Sequence, residues 1–185
     1  MATLAQEFRH WTREEYERLV AEGFFQPEER LELVDGIIFE MSPQSPPHAV
    51  AIRLARRALE PIFSDSFDVL VQMPLALDED SEPEPDLAVV RGRDPRQNLT
   101  SHPTEAALVI EVADSSLSRD REKASLYARV GISDYWIVNL KERCVEVSRD
   151  PQNGAYRSRS VLRAGDSVRP LARPEMPIAI SDLLP

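Results

Sequence analysis

The segment AALVIEVADSSLSRDREKASLYARVGISDYWIVNL, Ala106–Leu140, decides the predicted fold because it contains a strand, a helix and a second strand in succession. Ala106–Ala113 is an apolar run of strand length that is interrupted once, by Glu111. Ser118–Val130 has the apolar spacing of a helix, and Tyr135–Leu140 is another short apolar run. Two strands joined by one helix predict a right-handed parallel crossover.

The flanking segments predict further strands and helices around this unit. Thr12 and Glu15 have capping-box spacing for a helix, and Arg30–Met41 predicts a hairpin that turns at Asp35 and Gly36. A second helix is predicted at Ala49–Phe63, after the loop Ser42–His48. Further strands are predicted at Phe67–Leu77, Leu87–Val90 and Arg143–Arg149. Short strands and turns are predicted over Gly154–Pro185. The expected class is α/β or α+β, with a mixed twisted central sheet flanked by helices in one domain over residues 1–185.

Composition excludes several classes of protein. The lone Cys144 cannot form an internal disulfide or a cysteine-rich metal site, and no apolar run approaches the roughly 20 residues of a membrane span. The N-terminal segment MATLAQEFRHWTREEYERL is amphipathic and charged, unlike a secretory signal. We therefore expect a cytoplasmic protein without a membrane partner. A net charge of −10 weakens a simple nucleic-acid interpretation, but it suits a site that collects divalent cations.

Two acidic residues interrupt segments that should be buried. Asp86 follows Pro85 at the start of the apolar strand Leu87–Val90, and both faces of the strand around Glu111 are apolar. Burying a charge costs several kcal/mol, roughly, unless the charge is paired or binds a metal. We expect Glu82 and Glu84, in the acidic loop before Asp86, to be solvated.

Lys123 is one of only two lysines, and a helical wheel places it near the centre of the apolar side of the predicted helix. A buried ammonium needs an acidic partner, and Glu111 and Asp86 are the candidates. Two carboxylates and a lysine suit Mg²⁺-dependent phosphodiester hydrolysis, in which the lysine stabilises negative charge or helps to deprotonate the attacking water. A buried ion-pair network without catalysis is the alternative.

The sequence resembles the PD-(D/E)XK nuclease superfamily, which has the restriction-endonuclease-like fold. The resemblance rests on EPEPDLAVV and LVIEVADSSLSRDREKASLYARVGISDYWIV, and on REEYERL and RLELVDGIIFEMSPQSPPH nearer the N-terminus. Within that superfamily it is most similar to a bacterial group of predicted restriction endonucleases that was formerly of unknown function. The resemblance implies that Asp86 and Glu111 bind the metal, Mg²⁺ or Mn²⁺. The lysine usually found two residues after the acid is replaced by Ala113, which implies that the catalytic lysine has migrated to Lys123.

Four accessory residues complete the predicted site. The resemblance implies that Glu32 helps to bind the metal and that His48 is a candidate site residue. Without the resemblance, Glu32 is interpreted as a solvent-facing hairpin residue and His48 as an ordinary loop histidine. Gln72, on the strand before the acidic loop, is a candidate lining residue. Asp120 is expected to touch metal, or else to cap the helix or pair with Lys123.

Three functions follow from this pattern. The first is a metal-dependent endonuclease that hydrolyses DNA, with catalytic Asp86, Glu111 and Lys123. The second is a catalytically silent binding module with the nuclease fold, which the acidic composition favours. The third is a metal-dependent hydrolase of a small phosphorylated substrate. DNA is the expected partner, and the sequence leaves open whether the protein is a homodimer.

Overall fold

A computed structural model describes residues 9–26, 28–92 and 94–185, so residues 1–8 of the N-terminal segment considered above lie outside the described residues. The α-helices are α1 (Arg13–Ala21), α2 (Pro46–Leu59) and α3 (Leu117–Arg129). The strands are β1 (Leu31–Val34), β2 (Ile37–Glu40), β3 (Phe67–Val71), β4 (Leu87–Arg91), β5 (Leu108–Ala113), β6 (Asp134–Asn139), β7 (Cys144–Gln152), β8 (Ala155–Arg163), β9 (Ser167–Val168) and β10 (Ile178–Ala179). Short 3-10 helices lie at Pro95–Asn98 and Ile180–Asp182.

A six-stranded mixed sheet forms the centre of the molecule, in the order β3-β4-β5-β6-β7-β8. Strands β5 and β6, which flank α3 in the sequence, pair in parallel, and the other neighbouring pairs are antiparallel. The predicted class and the parallel pairing are therefore confirmed. Strands β1 and β2 form a separate hairpin, and β9 pairs with β10 in another.

Helices cover both faces of this sheet. The apolar stripe of α2 packs with alternate residues of β5, including Leu108, Ile110 and Val112, in one buried cluster. Tyr127 of α3 packs with Val109 in a second buried cluster, on the other face. Since strand residues alternate between faces, Glu111 points to the α3 side, where Lys123 is buried.

Helix α2 begins earlier than the sequence pattern predicts. It runs from Pro46 rather than Ala49, because Ser45 accepts the amide hydrogen bond of His48 at 3.4 Å and proline is tolerated in a first helical turn. His48 consequently lies in the first turn of a helix instead of a loop. The helix also ends at Leu59, before the predicted end at Phe63.

Strand β3 is shorter than predicted, and the C-terminal region contains more regular structure. β3 ends at Val71 rather than Leu77, because Gln72 adopts the left-handed region with φ of 49° and turns the chain away from the sheet. Gln72 therefore follows the strand and is not part of it. The predicted strand Arg143–Arg149 extends to Gln152, and β8 is a nine-residue strand at the edge of the main sheet.

The acidic loop before β4 contacts the β1–β2 hairpin. Leu33 and Glu82 exchange backbone hydrogen bonds of 3.2 and 2.8 Å, which hold the hairpin beside the start of β4. The expectation that Glu82 and Glu84 are solvated is wrong. Glu82 is only 5% exposed, and Glu84 is partly buried and forms an ion pair with Arg30.

Candidate active site

All seven residues singled out by the sequence line one open cavity of about 290 Å³. The cavity lies where the hairpin, the loop from β2 to α2, the start of β4 and the N-terminal part of α3 meet. The residues are Glu32, His48, Gln72, Asp86, Glu111, Asp120 and Lys123. The structure therefore brings together side chains that are separated by up to 91 positions in the sequence.

Lys123 connects the hairpin to the central sheet inside this cavity. Its Nζ atom lies 2.7 Å from Glu32 Oε2 and 3.1 Å from Glu111 Oε1. All three side chains are almost completely buried, with exposures of 4% or less. The interpretation of Glu32 as a solvent-facing hairpin residue is therefore wrong.

Tyr127 is a member of this network that sequence reasoning missed. Its hydroxyl donates to Glu111 Oε1 at 2.9 Å, and Tyr127 is fully buried. The wheel of α3 classed Tyr127 only as part of the apolar side. The available signal was its spacing, because a residue four positions after Lys123 lies on the same helix face.

Asp86 is held by donors from three directions. Its Oδ2 atom accepts from the Val112 amide at 2.8 Å and from His48 Nε2 at 3.2 Å, and Oδ1 accepts from Gln72 Nε2 at 3.2 Å. The amide of Asp86 donates to Glu111 Oε2 at 3.3 Å. His48, in the first turn of α2, and Gln72, directly after β3, therefore both orient Asp86. The sequence pattern had predicted a loop at His48 and a strand at Gln72, and both of these predictions were wrong.

Burial and neighbouring charges shift the pKa values of the central pair. Burial raises the pKa of Glu111 to about 8. The positive charge of Lys123 opposes this rise, and the negative charges of Asp120, Asp86 and Glu32 add to it. Burial alone would lower the pKa of Lys123, but the Glu111 and Glu32 carboxylates outweigh it and raise that pKa. The raised pKa favours the ammonium form of Lys123 at neutral pH.

Two further groups at the cavity titrate away from their ordinary ranges. Burial raises the pKa of Asp120 to about 6, while the hydrogen bond from Ser116 Oγ, at 2.5 Å to Asp120 Oδ2, opposes the shift. Burial lowers the pKa of His48, but its contact with Asp86 outweighs burial and the net shift is upward. Asp120 accepts a hydrogen bond from the Ser116 hydroxyl, but no side chain caps α3 through a hydrogen bond, so the role of Asp120 stays a prediction.

The donor set fits a hard divalent cation. Five acidic and three basic side chains line the cavity, which leaves two formal negative charges in excess when His48 is neutral. Asp86 and Glu111 supply carboxylate oxygens, and Mg²⁺ is bound through one or two carboxylates while it keeps several waters. Among residues 9–26, 28–92 and 94–185, no group of three or more acidic, histidine or cysteine residues is arranged as a complete metal shell. Asp86 and Glu111 are therefore the residues that could hold such an ion.

The loop from β2 to α2 is fixed across the mouth of the cavity at two points. Gln44 Nε2 donates to Gln72 Oε1 at 2.7 Å, and Ser45 Oγ donates to Asp114 Oδ2 at 2.6 Å. Both contacts join residues of this loop to positions that follow strands of the main sheet. Their sequence separations of 28 and 69 positions put them beyond the reach of local patterns.

The mixed sheet with a helix on each face and an acid–acid–lysine cluster beside β4 and β5 defines a protein of the restriction-endonuclease-like class. The sequence profile of the family described as "Uma2: Putative restriction endonuclease" matches residues 13–181, and the chain belongs to this family.

A solved structure supports the fold assignment. The crystal structure of a putative nuclease belonging to DUF820 from Anabaena variabilis ATCC 29413 superposes with a TM-score of 0.75. The two sequences are 18% identical, and the match covers 93% of this chain and 96% of the other. No curated protein matches this sequence. Among the described residues, no helix has the length and apolarity to cross a membrane.

Proposed function

We propose that the protein is a metal-dependent endonuclease that hydrolyses phosphodiester bonds of DNA, with Mg²⁺ or Mn²⁺ as the cofactor. The observation that carries this proposal is the bridge from Lys123 to Glu32 and Glu111 beside Asp86, in a cavity that is open to a substrate. Membership of a family described as restriction endonucleases supports hydrolysis of nucleic acid.

We assign metal binding to Asp86 and Glu111, with Glu32 as an additional ligand candidate. When bound, the ion would supply a water of lowered pKa and neutralise charge on the phosphodiester. The Val112 amide, His48 and Gln72 hold the Asp86 carboxylate in a fixed orientation, which limits its reorganisation when charge develops. We assign His48 and Gln72 this orienting role.

The role of Lys123 follows from its raised pKa and its contacts. Because it remains an ammonium, it offers permanent positive charge to the negative charge that develops on a phosphate during hydrolysis. Its contact with Glu32 fixes its position and supplies the hydrogen-bond partner that a buried ammonium requires. The migrated lysine would therefore act by electrostatic stabilisation rather than by proton abstraction.

Cleavage of supercoiled plasmid by the purified protein with Mg²⁺ or Mn²⁺ tests this function. We expect nicked and linear DNA from wild type and from Lys141→Met, which alters the only other lysine, an exposed one. We expect no cleavage by Asp86→Asn or Lys123→Met. Plasmid that stays intact with wild type under both ions contradicts the proposal.

One observation favours the catalytically silent module as a second candidate. Asp86 and Glu111 already accept hydrogen bonds from protein donors at both carboxylate oxygens, so their charge is partly satisfied without an ion. This candidate predicts no specific Mg²⁺ affinity and no cleavage. Phosphate release from mononucleotides, with oligonucleotides as competitors, tests the small-substrate hydrolase, because only that activity would release phosphate that oligonucleotides do not suppress.

A further inference from the structure

Arg119 differs from the other cationic side chains of the cavity in what it contacts. Four side chains that carry or can gain a positive charge line the cavity, and three of them contact a carboxylate: Arg30, His48 and Lys123. Arg119 is the fourth, and it is partly buried. Although five acidic side chains line the same cavity, Arg119 forms no ion pair within the described part of the chain. Its charge is therefore available to an anionic ligand.

The Arg119 guanidinium is held in a fixed position by the β1–β2 hairpin. Its Nη1 atom donates to the Glu40 carbonyl oxygen at 3.3 Å, and its Cζ atom lies 4.9 Å from the centroid of the Phe39 ring. A guanidinium has five N–H donors, and the carbonyl takes one of them. Two parallel N–H groups of a guanidinium match the oxygens of a phosphate. Arg119 is thus oriented by neutral groups while most of its donors remain for a ligand.

The position of Arg119 on α3 points to a role in the cavity rather than in helix stability. Arg119 is in the first turn of α3, where the helix dipole disfavours a cation. Lys123 is four positions further along, so the two side chains share one helix face and lie about 6 Å apart along the axis. Lys123 is only 4% exposed and contacts Glu111, whereas Arg119 is reached more easily from solvent. This face of α3 therefore leads from the cavity mouth to the buried carboxylates.

We propose that Arg119 binds a backbone phosphate of the DNA substrate at the mouth of the cavity and so positions the strand beside Asp86 and Glu111. This inference rests on the proposed function and deepens it by naming a residue that binds the substrate. The contact is to a phosphate, so it supplies affinity and position without sequence preference.

Anisotropy of a labelled duplex of about 30 base pairs tests this contact in EDTA, which keeps the duplex intact. Each phosphate contact contributes about 0.9 to the slope of log affinity against log salt, so the slope for Arg119→Gln should be smaller by about 0.9 than for wild type. Between about 50 and 200 mM salt, wild type should then lose about 3.5-fold more affinity than this variant. At the lower salt Arg119→Gln should bind about tenfold more weakly, which is the loss of one charge-assisted hydrogen bond.

Arg119→Lys separates phosphate binding from a purely structural role of Arg119. Lysine keeps the positive charge but lacks the planar fork of donors. This variant should therefore keep the salt slope of wild type and lose less affinity than Arg119→Gln. If Arg119→Lys loses as much slope and affinity as Arg119→Gln, the effect comes from disturbing the hairpin, and the proposal is overturned.

Arg173→Gln is the matched control. Arg173 is also partly buried, donates to a backbone carbonyl, that of Ile62, at 3.3 Å, and lies 5.0 Å from the centroid of the Phe67 ring. It does not line the cavity. Unchanged affinity and slope in this control support the proposal. The proposal is overturned by the same loss in Arg173→Gln, by equal affinity and slope for wild type and Arg119→Gln, or by a wild type that binds no duplex.

A plasmid assay with Mg²⁺ separates this inference from the proposed function. If wild type cleaves plasmid but Arg119→Gln binds the duplex like wild type, only the phosphate contact is wrong. If duplex binding depends on Arg119 as described but wild type does not cleave, the phosphate contact is supported and the nuclease activity is wrong.

Discussion

Replacing Lys123 with methionine should destabilise the protein far more than a typical surface substitution. Methionine nearly keeps the length of the side chain but removes the ammonium that contacts Glu32 and Glu111. Both carboxylates would then be buried without their cation, and removing one partner of a buried ion pair costs about 3–5 kcal/mol. For a chain of this size we expect a fall in Tm of roughly 6–20 °C.

The loss should depend on pH with a definite sign. Burial already raises the pKa of Glu111 to about 8, and removing Lys123 raises it further. A carboxyl group whose pKa is raised on folding binds its proton more tightly in the folded state, so stability falls as pH rises above its unfolded pKa. The deficit of Lys123→Met relative to wild type should therefore be smaller at pH 7 than at pH 9, because above about pH 8 wild type loses the Glu111 proton that the variant keeps.

Urea unfolding of wild type, Lys123→Met and Lys141→Met at pH 7 and pH 9 measures this effect. Lys141→Met is the control because Lys141 is the only other lysine and is exposed, so its loss should stay within about 0.5 kcal/mol. Adding Glu32→Gln to Lys123→Met should recover part of the stability, because it removes one of the uncompensated charges. Equal small losses for the two lysine variants would refute the reasoning.

Three other substitutions give separate tests. Tyr127→Phe removes the hydroxyl that donates to Glu111 and should cost about 1.5–3 kcal/mol in the free energy of unfolding, measured in urea at pH 8. Glu82→Gln should stabilise the protein by about 1–3 kcal/mol at pH 8 but not at pH 4. Burial and the nearby Glu17 raise the pKa of Glu82 to about 7, so the stability cost of Glu82 develops as pH rises from its unfolded pKa to that value. Equal effects of the substitution at both pH values would contradict this prediction. Asp134→Asn should lower the free energy of unfolding by about 3–5 kcal/mol, measured by thermal unfolding, because Asp134 is fully buried and pairs with Arg149. A loss of less than about 1 kcal/mol would contradict this prediction.

The sequence predicted the centre of the fold because local pattern and final environment agree there. β5, α3 and β6 have apolar spacings that match their burial, and the inward position of Lys123 follows from helical periodicity alone. The boundaries of α2 and β3 were less predictable. Ser45 and two prolines start α2 inside an apparent loop, and a left-handed Gln72 ends β3 inside an apolar run.

The site was predictable as a set of residues but not as a network. Charge in an apolar context identified Asp86, Glu111 and Lys123, and the family resemblance contributed Glu32. The partner of each charge depends on tertiary contacts, such as the 91-position separation between Lys123 and Glu32. The burial of Glu82 likewise comes from backbone pairing with the hairpin, which the composition of an acidic loop does not reveal.

The metal site at Asp86 and Glu111 is the claim on which the proposed function depends, and calorimetric titration of Mg²⁺ tests it most directly. Wild type should bind the ion with release of protons at pH 7, because the pKa of Glu111 is about 8 without the ion. The released protons appear as a dependence of the measured heat on the buffer. Asp86→Asn should bind Mg²⁺ at least about tenfold more weakly. Absence of Mg²⁺ binding by wild type, or equal affinity in Asp86→Asn, would contradict the account.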